Sequence, residues 1–186
     1  MFIQTETTPN PETLKFLPGR VVLEEGTEDF PDFESARKSR LAMKIISIRG
    51  VVRVFFGNDF ISVSKEENIY WEHLKPAILG TIMEHFQLNL PIIDTPSDNK
   101  KNVENFDEKD APIVKQIIEL LETRVRPAVT QDGGDIQFHG FDRGIVYLTM
   151  QGACAGCPSS TITLKMGIQN LLRHYIPEVI EVRPVL

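Results

Sequence analysis

The spacing of apolar residues predicts short strands and two helices in the first half of the chain, residues 1–90. Apolar and polar residues alternate where strands are predicted, and apolar residues recur every three or four positions where helices are predicted. Two β-branched and aromatic runs flank Gly57-Asn58-Asp59, a pattern typical of a hairpin. The predicted order is ββαββα. These elements are strands at 1–7 and 14–23, a helix at 30–48, a hairpin at 50–65 and a helix at 68–87, bent or begun near Pro76.

The last part of the chain, residues 110–186, repeats this mixture in a different order, αββαβ. Its first helix carries an apolar stripe, with Asp110 as a candidate N-cap and Pro127 just after its predicted end. Gly133 and Gly134 then indicate a turn into a strand. The predicted elements are a helix within 111–129 that ends before Pro127, a turn leading into a strand within 130–141, a strand at 145–150, a helix at 158–176 and a strand at 178–185.

The segment between these halves, residues 91–109, has few large apolar residues and many Asp, Asn, Ser and Lys residues. Such a composition buries too little apolar surface to fold by itself, so it is typical of a flexible linker. The predicted fold class is therefore α+β, with two small domains at 1–90 and 110–186 joined by this linker.

Composition and charge exclude several classes of function. The net charge is −6 and none of the three segments is net basic, so we expect no nucleic-acid binding. No apolar run approaches the ~18 residues of a membrane-spanning helix. Residues 1–10 resemble neither a secretory signal nor a transit peptide. A bacterial cytoplasmic protein is predicted, with a processed mitochondrial matrix protein as the alternative.

Candidate chemistry is concentrated in the stretch QGACAGCPSS, which holds the only two cysteines, Cys154 and Cys157. Pro158 suits the first position of a helix, which would make Cys157 its N-cap and favour a thiolate there. Gly152 and Gly156 allow tight curvature and close approach of a bulky group to the backbone. A C-x-x-C pair without an export signal indicates metal or redox chemistry.

Four interpretations of this pair remain open from its spacing alone. The cysteines could be inert buried thiols, or the two sulfurs of a zinc site, although neither His139 nor His174 lies at zinc-finger spacing. They could form a thiol–disulfide oxidoreductase. They could also bind an iron–sulfur cluster, which usually takes four thiolates and would then bridge two chains and be labile.

Nothing else in the sequence indicates an enzyme. No nucleophile with a base stands out, and no G-x-x-x-x-G-K-[ST] phosphate loop is present.

Two sets of motifs resemble those of one family. Arg126-Pro127, Asp132-Gly133-Gly134-Asp135, the loop from Gly152 to Pro158 and Leu164 resemble the NifU-like C-terminal domain of iron–sulfur assembly proteins. Thr8 to Phe16 and the hairpin at 50–65 resemble the N-terminal domain of Nfu-type proteins.

This resemblance implies a scaffold or carrier with Cys154 and Cys157 as the metal ligands. It implies a cluster, commonly [4Fe-4S] with [2Fe-2S] as the other possibility, bridging a homodimer. The expected partners are apo-proteins that receive the cluster and upstream cluster assembly proteins. A thiol–disulfide oxidoreductase is the alternative function.

Overall fold

The computed structural model describes residues 1–94, 105–156 and 158–185, with residues 158–160 described by their backbone alone. The chain divides into two compact units, Met1–Asp98 and Asn99–Leu186. Each unit combines helices with a sheet, which confirms the predicted α+β class with two domains. Within the described residues, no helix is both long enough and apolar enough to cross a bilayer.

The first unit is a five-stranded antiparallel sheet with helices packed on it. The strand order is β1-β2-β5-β4-β3. Apolar side chains of the second and third helices, including Leu41, Ile45, Ile78 and Ile82, share one core with the sheet. The elements are β1 (Gln4–Thr7), β2 (Thr13–Leu17), β3 (Glu28–Phe30), α1 (Phe33–Ala36), α2 (Arg40–Ile46), β4 (Val51–Phe56), β5 (Ile61–Lys65) and α3 (Trp71–Gln87).

The predicted order ββαββα is wrong in two details of this unit. The third strand, β3, was not predicted, because its short polar sequence becomes a strand only by pairing with β4. The Phe30 ring meets the Phe56 ring at a centroid distance of 5.0 Å, and this contact secures the pairing. The single helix predicted at 30–48 is two helices, because Ser39 is extended and its hydroxyl caps α2.

The second unit is a three-stranded sheet covered by helices. Strands β6 and β7 are antiparallel, and β7 pairs with β8 in parallel. The inward-facing residues Val146, Leu148 and Met150 of β7 are buried, as their alternation predicted. The elements are a 3₁₀ turn (Glu108–Asp110), α4 (Ala111–Leu120), a π-helix (Leu121–Val125), α5 (Arg126–Gln131), β6 (Gly134–Asp142), β7 (Ile145–Gly152), α6 (Pro158–Tyr175) and β8 (Glu181–Val185).

The sequence predicted that Pro127 follows the end of the first helix of this unit, and this prediction is wrong. The helical run continues to Gln131, because the π-helix before Pro127 changes the hydrogen-bond pattern. The amide of Arg126 donates to the carbonyl of Leu121, five residues earlier. Pro127 then lies in the first turn of α5, where its missing N–H is not needed.

Both ends of the segment predicted as a linker, residues 91–109, contact the units. Ile92 and Ile93 pack against the core of the first unit, and Asp94 accepts a hydrogen bond of 2.8 Å from the amide of Arg40. Phe106 packs against the core of the second unit. The rest of the predicted linker, residues 95–104, lies outside the described residues.

A buried histidine near the end of α3 makes the first unit sensitive to pH. His85 is fully buried, and its Nε2 lies 3.1 Å from the carbonyl oxygen of Pro91. Because a carbonyl only accepts, Nε2 carries the proton, and Nδ1 has no partner among the described residues. Burial lowers the pKa of His85 and outweighs the hydrogen bond to the Pro91 carbonyl, which raises it; the charge of Lys44 lowers the pKa further, and Asp94 acts in the opposite sense.

We expect the free energy of unfolding of the first unit to decrease as the pH falls below about 6.5, the ordinary pKa of histidine. The unfolded chain then binds a proton that buried His85 resists. His85→Gln keeps an N–H donor and cannot titrate, so its stability should depend less on pH between 7 and 5. The measurement is urea unfolding followed by the fluorescence of Trp71, the single tryptophan, whose Nε1 donates to the Pro11 carbonyl.

His73→Gln is the matched control, because His73 lies on the same helix and is exposed. This control should retain the pH dependence of the unaltered protein. An equal pH dependence in His85→Gln and the unaltered protein would contradict the assignment to His85.

Candidate metal centre

Cys154 lies in a tight turn directly after β7. The turn is closed by backbone hydrogen bonds: the amide of Cys154 donates to the Gln151 carbonyl at 3.3 Å, and the amide of Ala155 donates to the Gly152 carbonyl at 3.1 Å. The Cys154 residue is only 7% exposed and contributes to the core of the second unit. Cys157 lies outside the described residues. Helix α6 begins at Pro158, as the sequence predicted.

Glycine is required where β6 passes the sulfur of Cys154. Gly134 pairs with Gly152 across the antiparallel ladder. A Cβ atom added at Gly134 would lie 2.6 Å from Cys154 Sγ and 2.6 Å from the Gln151 carbonyl oxygen. Gly152 and Gly156 have φ angles of 61° and 81°, a region that favours glycine. Because Gly134 has no side chain, the backbone of β6 can lie closer to the sulfur than any other residue would allow.

The start of α6 is attached to the same turn. The hydroxyl of Thr161 donates to the carbonyl of Cys154 at 3.2 Å. Since Thr161 lies in the first turn of α6, this bond fixes the helix start relative to Cys154.

A partly buried ion pair lies next to the cysteine turn. Asp135 is 3% exposed, and its Oδ1 accepts from Arg126 Nε at 2.9 Å. Arg126 also donates to the Ile136 carbonyl at 3.0 Å and pairs with Glu122. The π-helix ends just before Arg126, and the guanidinium of Arg126 bonds to two residues at the start of β6, Asp135 and Ile136. Asp135, which pairs with Gln151 in the ladder, is thereby held close to Cys154.

The surroundings of Cys154 favour the neutral thiol. Burial, followed by the negative charges of Asp132 and Asp135, raises the pKa of Cys154 to about 12. This is opposite to the effect that a helix start was predicted to have at Cys157. Cys154 is therefore protonated at neutral pH, and an iron ion that binds its sulfur must displace a proton.

The donor chemistry at this turn suits a soft metal. A cysteine thiolate is the kind of ligand that iron in clusters or zinc prefers, and the carboxylates that act on Cys154 are harder ligands. Among residues 1–94, 105–156 and 158–185, no group of three or more His, Cys, Asp or Glu side chains could hold a metal ion. His139 lies on β6 and is partly exposed.

Residues of both units match known families of domains. Residues 3–89 match the family described as the N-terminal domain of scaffold protein Nfu/NifU, and residues 117–183 match the NifU-like domain. A human protein named "NFU1 iron-sulfur cluster scaffold homolog, mitochondrial" is 52% identical over 189 residues, which span all of this chain and 72% of the human protein. The chain belongs to the Nfu/NifU family.

Two further members illustrate the extent of the similarity. "NifU-like protein 4, mitochondrial" from Arabidopsis thaliana is 52% identical over 96% of this chain, which spans 64% of the plant protein's length. The solution structure of a NifU-like protein from Saccharomyces cerevisiae is 25% identical, with a TM-score of 0.44 over 51% of this chain and 86% of the yeast chain.

Sequence reasoning identified the cysteine turn of this Nfu/NifU protein but not the residues that support it. From the sequence, Gly134 is part of a predicted turn, and Asp135 and Arg126 stand out only as members of the family motifs. Their roles depend on the β6–β7 pairing, which brings residues about twenty positions apart into contact. The available signal was the presence of an arginine and an aspartate in the motifs that carry the family resemblance.

We expect Gly134→Ala to destabilise the second unit by about 1–3 kcal/mol, the usual cost of overpacking. The added methyl group would meet both the sulfur of Cys154 and a backbone oxygen, which cannot move aside without disturbing the ladder. Urea unfolding followed by circular dichroism measures the change. Gly167→Ala is the control, because a Cβ there meets nothing within 4 Å, and alanine should stabilise α6 by up to about 1 kcal/mol.

The rate at which Cys154 reacts with iodoacetamide should continue to rise through pH 10, because only the thiolate reacts and the pKa of this thiol is raised to about 12. Cys157→Ser leaves Cys154 as the only thiol and is the protein to use. Adding Asp132→Asn should shift the rate profile to lower pH by removing one of the negative charges. The control is the same chain unfolded in concentrated urea. A reaction rate of the folded protein that stops rising by pH 9 would contradict the prediction.

Proposed function

We propose that this protein binds a labile iron–sulfur cluster between two copies of the chain and transfers it to apo-proteins. Its membership of the Nfu/NifU family and the name of the human relative, an iron–sulfur cluster scaffold, support a role in cluster assembly. The observation that carries the proposal is the cysteine turn, where glycines allow the backbone to lie close to a soft sulfur ligand.

The number of thiols supports a bridging site. The chain has two cysteines, whereas an iron–sulfur cluster usually takes four thiolates. Two copies of the turn supply four sulfurs: Cys154 and Cys157 of each chain. A [4Fe-4S] cluster uses all four, and a [2Fe-2S] cluster could use the same set, so the iron content distinguishes the two.

The position of the cluster between two chains supports lability. A cluster held at such a junction is not enclosed by one fold, so it suits transfer better than permanent storage. Thiols of an apo-protein can then replace the sulfurs of Cys154 and Cys157 one at a time.

The expected partners are therefore apo iron–sulfur proteins and the upstream proteins that supply the cluster. The role is that of a carrier or scaffold, without turnover of a small molecule. Of the two locations considered, bacterial cytoplasm and mitochondrial matrix, the mitochondrial names of the plant and human relatives favour the second.

A thiol–disulfide oxidoreductase is the alternative function of the C-x-x-C pair. Such enzymes need an attacking cysteine with a lowered pKa. The raised pKa of Cys154 weighs against that role for this residue.

Anaerobic reconstitution with ferrous iron and sulfide tests the proposed function. We expect about four iron and four sulfide per two chains for a [4Fe-4S] cluster, or about two of each for [2Fe-2S], together with the mass of a dimer. Cys154→Ser and Cys157→Ser should each abolish cluster binding, because each removes two of the four ligands of a dimer.

His139→Ala is the matched control, since it removes a possible ligand on β6 of the same unit. This variant should bind as much iron as the unaltered protein. A monomer that binds no iron and catalytically reduces disulfides would instead establish the oxidoreductase.

A further inference from the structure

The first half of α6 exposes an apolar face beside the cysteine turn. Ile162 is 59% exposed and Met166 is 57% exposed. They lie one helical turn apart, so their side chains share one side of the helix. Thr163 and Gly167 lie next to them and are also exposed. We call Ile162, Thr163, Met166 and Gly167 the α6 face.

The position of the α6 face is fixed by contacts on the opposite side of the helix. Ile168 and Leu172 are buried in the core of the second unit, which directs the α6 face away from that core. Thr161, the residue before Ile162, donates to the carbonyl of Cys154. The α6 face therefore begins within one helical turn of the cysteine turn.

The charge distribution leaves this region open to a second copy of the chain. Two chains that each carry a net charge of −6 repel one another. From Gln151 to Leu172, however, the only charged residue is Lys165, whose Nζ lies 3.5 Å from Glu181 of the same unit. The α6 face itself therefore carries no charge, and the exposed Asp132, which acts on Cys154, is not part of it.

Gly167 leaves room on the α6 face for a close neighbour. It lies within α6, where glycine destabilises a helix relative to alanine. Its φ angle is not among the positive ones, and a Cβ added there meets nothing within 4 Å. Packing within the chain therefore does not require glycine, whereas close approach of a second backbone does.

We propose that the α6 face is the surface through which two copies of this chain meet around the cluster. This inference rests on the proposed function, because the site lacks two of its four sulfurs without a second copy. In a twofold arrangement the same face serves both chains, so that Ile162 of one chain packs against Met166 of the partner subunit. The face is small, so the dimer depends on the cluster as well as on this contact.

A charge-exchange experiment tests this contact directly. Ile162→Glu with Met166→Glu gives an acidic chain, and Ile162→Lys with Met166→Lys gives a basic chain. Each chain alone should form at least about tenfold less cluster-bridged dimer than the unaltered protein, because like charges would face each other across the contact. Mixed in equal amounts before reconstitution, they should recover iron, sulfide and a heterodimer whose mass identifies both chains.

Two single variants complete the test. Gly167→Leu is uncharged and has room within the chain, so it should fold normally and still lose the dimer. Ile180→Glu is the matched control, because Ile180 is 64% exposed but lies beside Gly144, at the opposite end of β7 from the cysteine turn. This control should bind the cluster as the unaltered protein does.

The outcomes separate this inference from the proposed function. Acidic and basic chains that each form the bridged dimer overturn the inference while the proposed function stands. If the acidic and basic chains each form the bridged dimer but fail to pass the cluster to an apo-protein, the α6 face binds the receiving apo-protein and not a second copy. An unaltered protein that takes up no iron overturns the proposed function itself.

Discussion

The close approach of Gly134 to Cys154 is the constraint on which the candidate site depends. The pairing of β6 with β7 places Gly134 against the sulfur and against the carbonyl of Gln151, with no space for a side chain. The next residue, Asp135, is held by Arg126. The position of Arg126 in turn depends on the π-helix between α4 and α5, whose hydrogen bonds span five residues and not the four of an α-helix. The sulfur is thus enclosed by one continuous set of backbone and ionic contacts.

This enclosure has a chemical consequence. A buried sulfur beside two carboxylates retains its proton, and a protonated thiol is a poor nucleophile and a poor ligand. The contacts that bury Cys154 therefore hold it as a neutral thiol in the absence of metal.

The first unit has its own sheet and core and does not depend on this site for its fold. Its stability depends on apolar contacts between the sheet and α2 and α3, and on a histidine that is buried in its neutral form. Asp94 extends the unit past α3, because its side chain and amide bond to the start of α2. The composition of residues 91–109 gave no indication of these contacts, since a single carboxylate and two isoleucines decide them.

The sequence by itself determined the α+β class, the hairpin at Gly57-Asn58-Asp59, the order αββαβ of the second unit and the helix start at Pro158. These features depend on local periodicity, turn residues and the fixed φ of proline. It also determined that the chain has only two thiols, which led to the idea of a site shared by two chains. The tertiary structure alone decided that β3 joins the sheet, that Pro127 lies inside a helical run and that Gly134 and Asp135 adjoin Cys154. The pairing of β3 and the position of Gly134 and Asp135 beside Cys154 arise from contacts between residues distant in sequence, which no local pattern records. Pro127 is accommodated by the bond from the Arg126 amide to the Leu121 carbonyl, a spacing that the apolar periodicity of a regular helix does not predict.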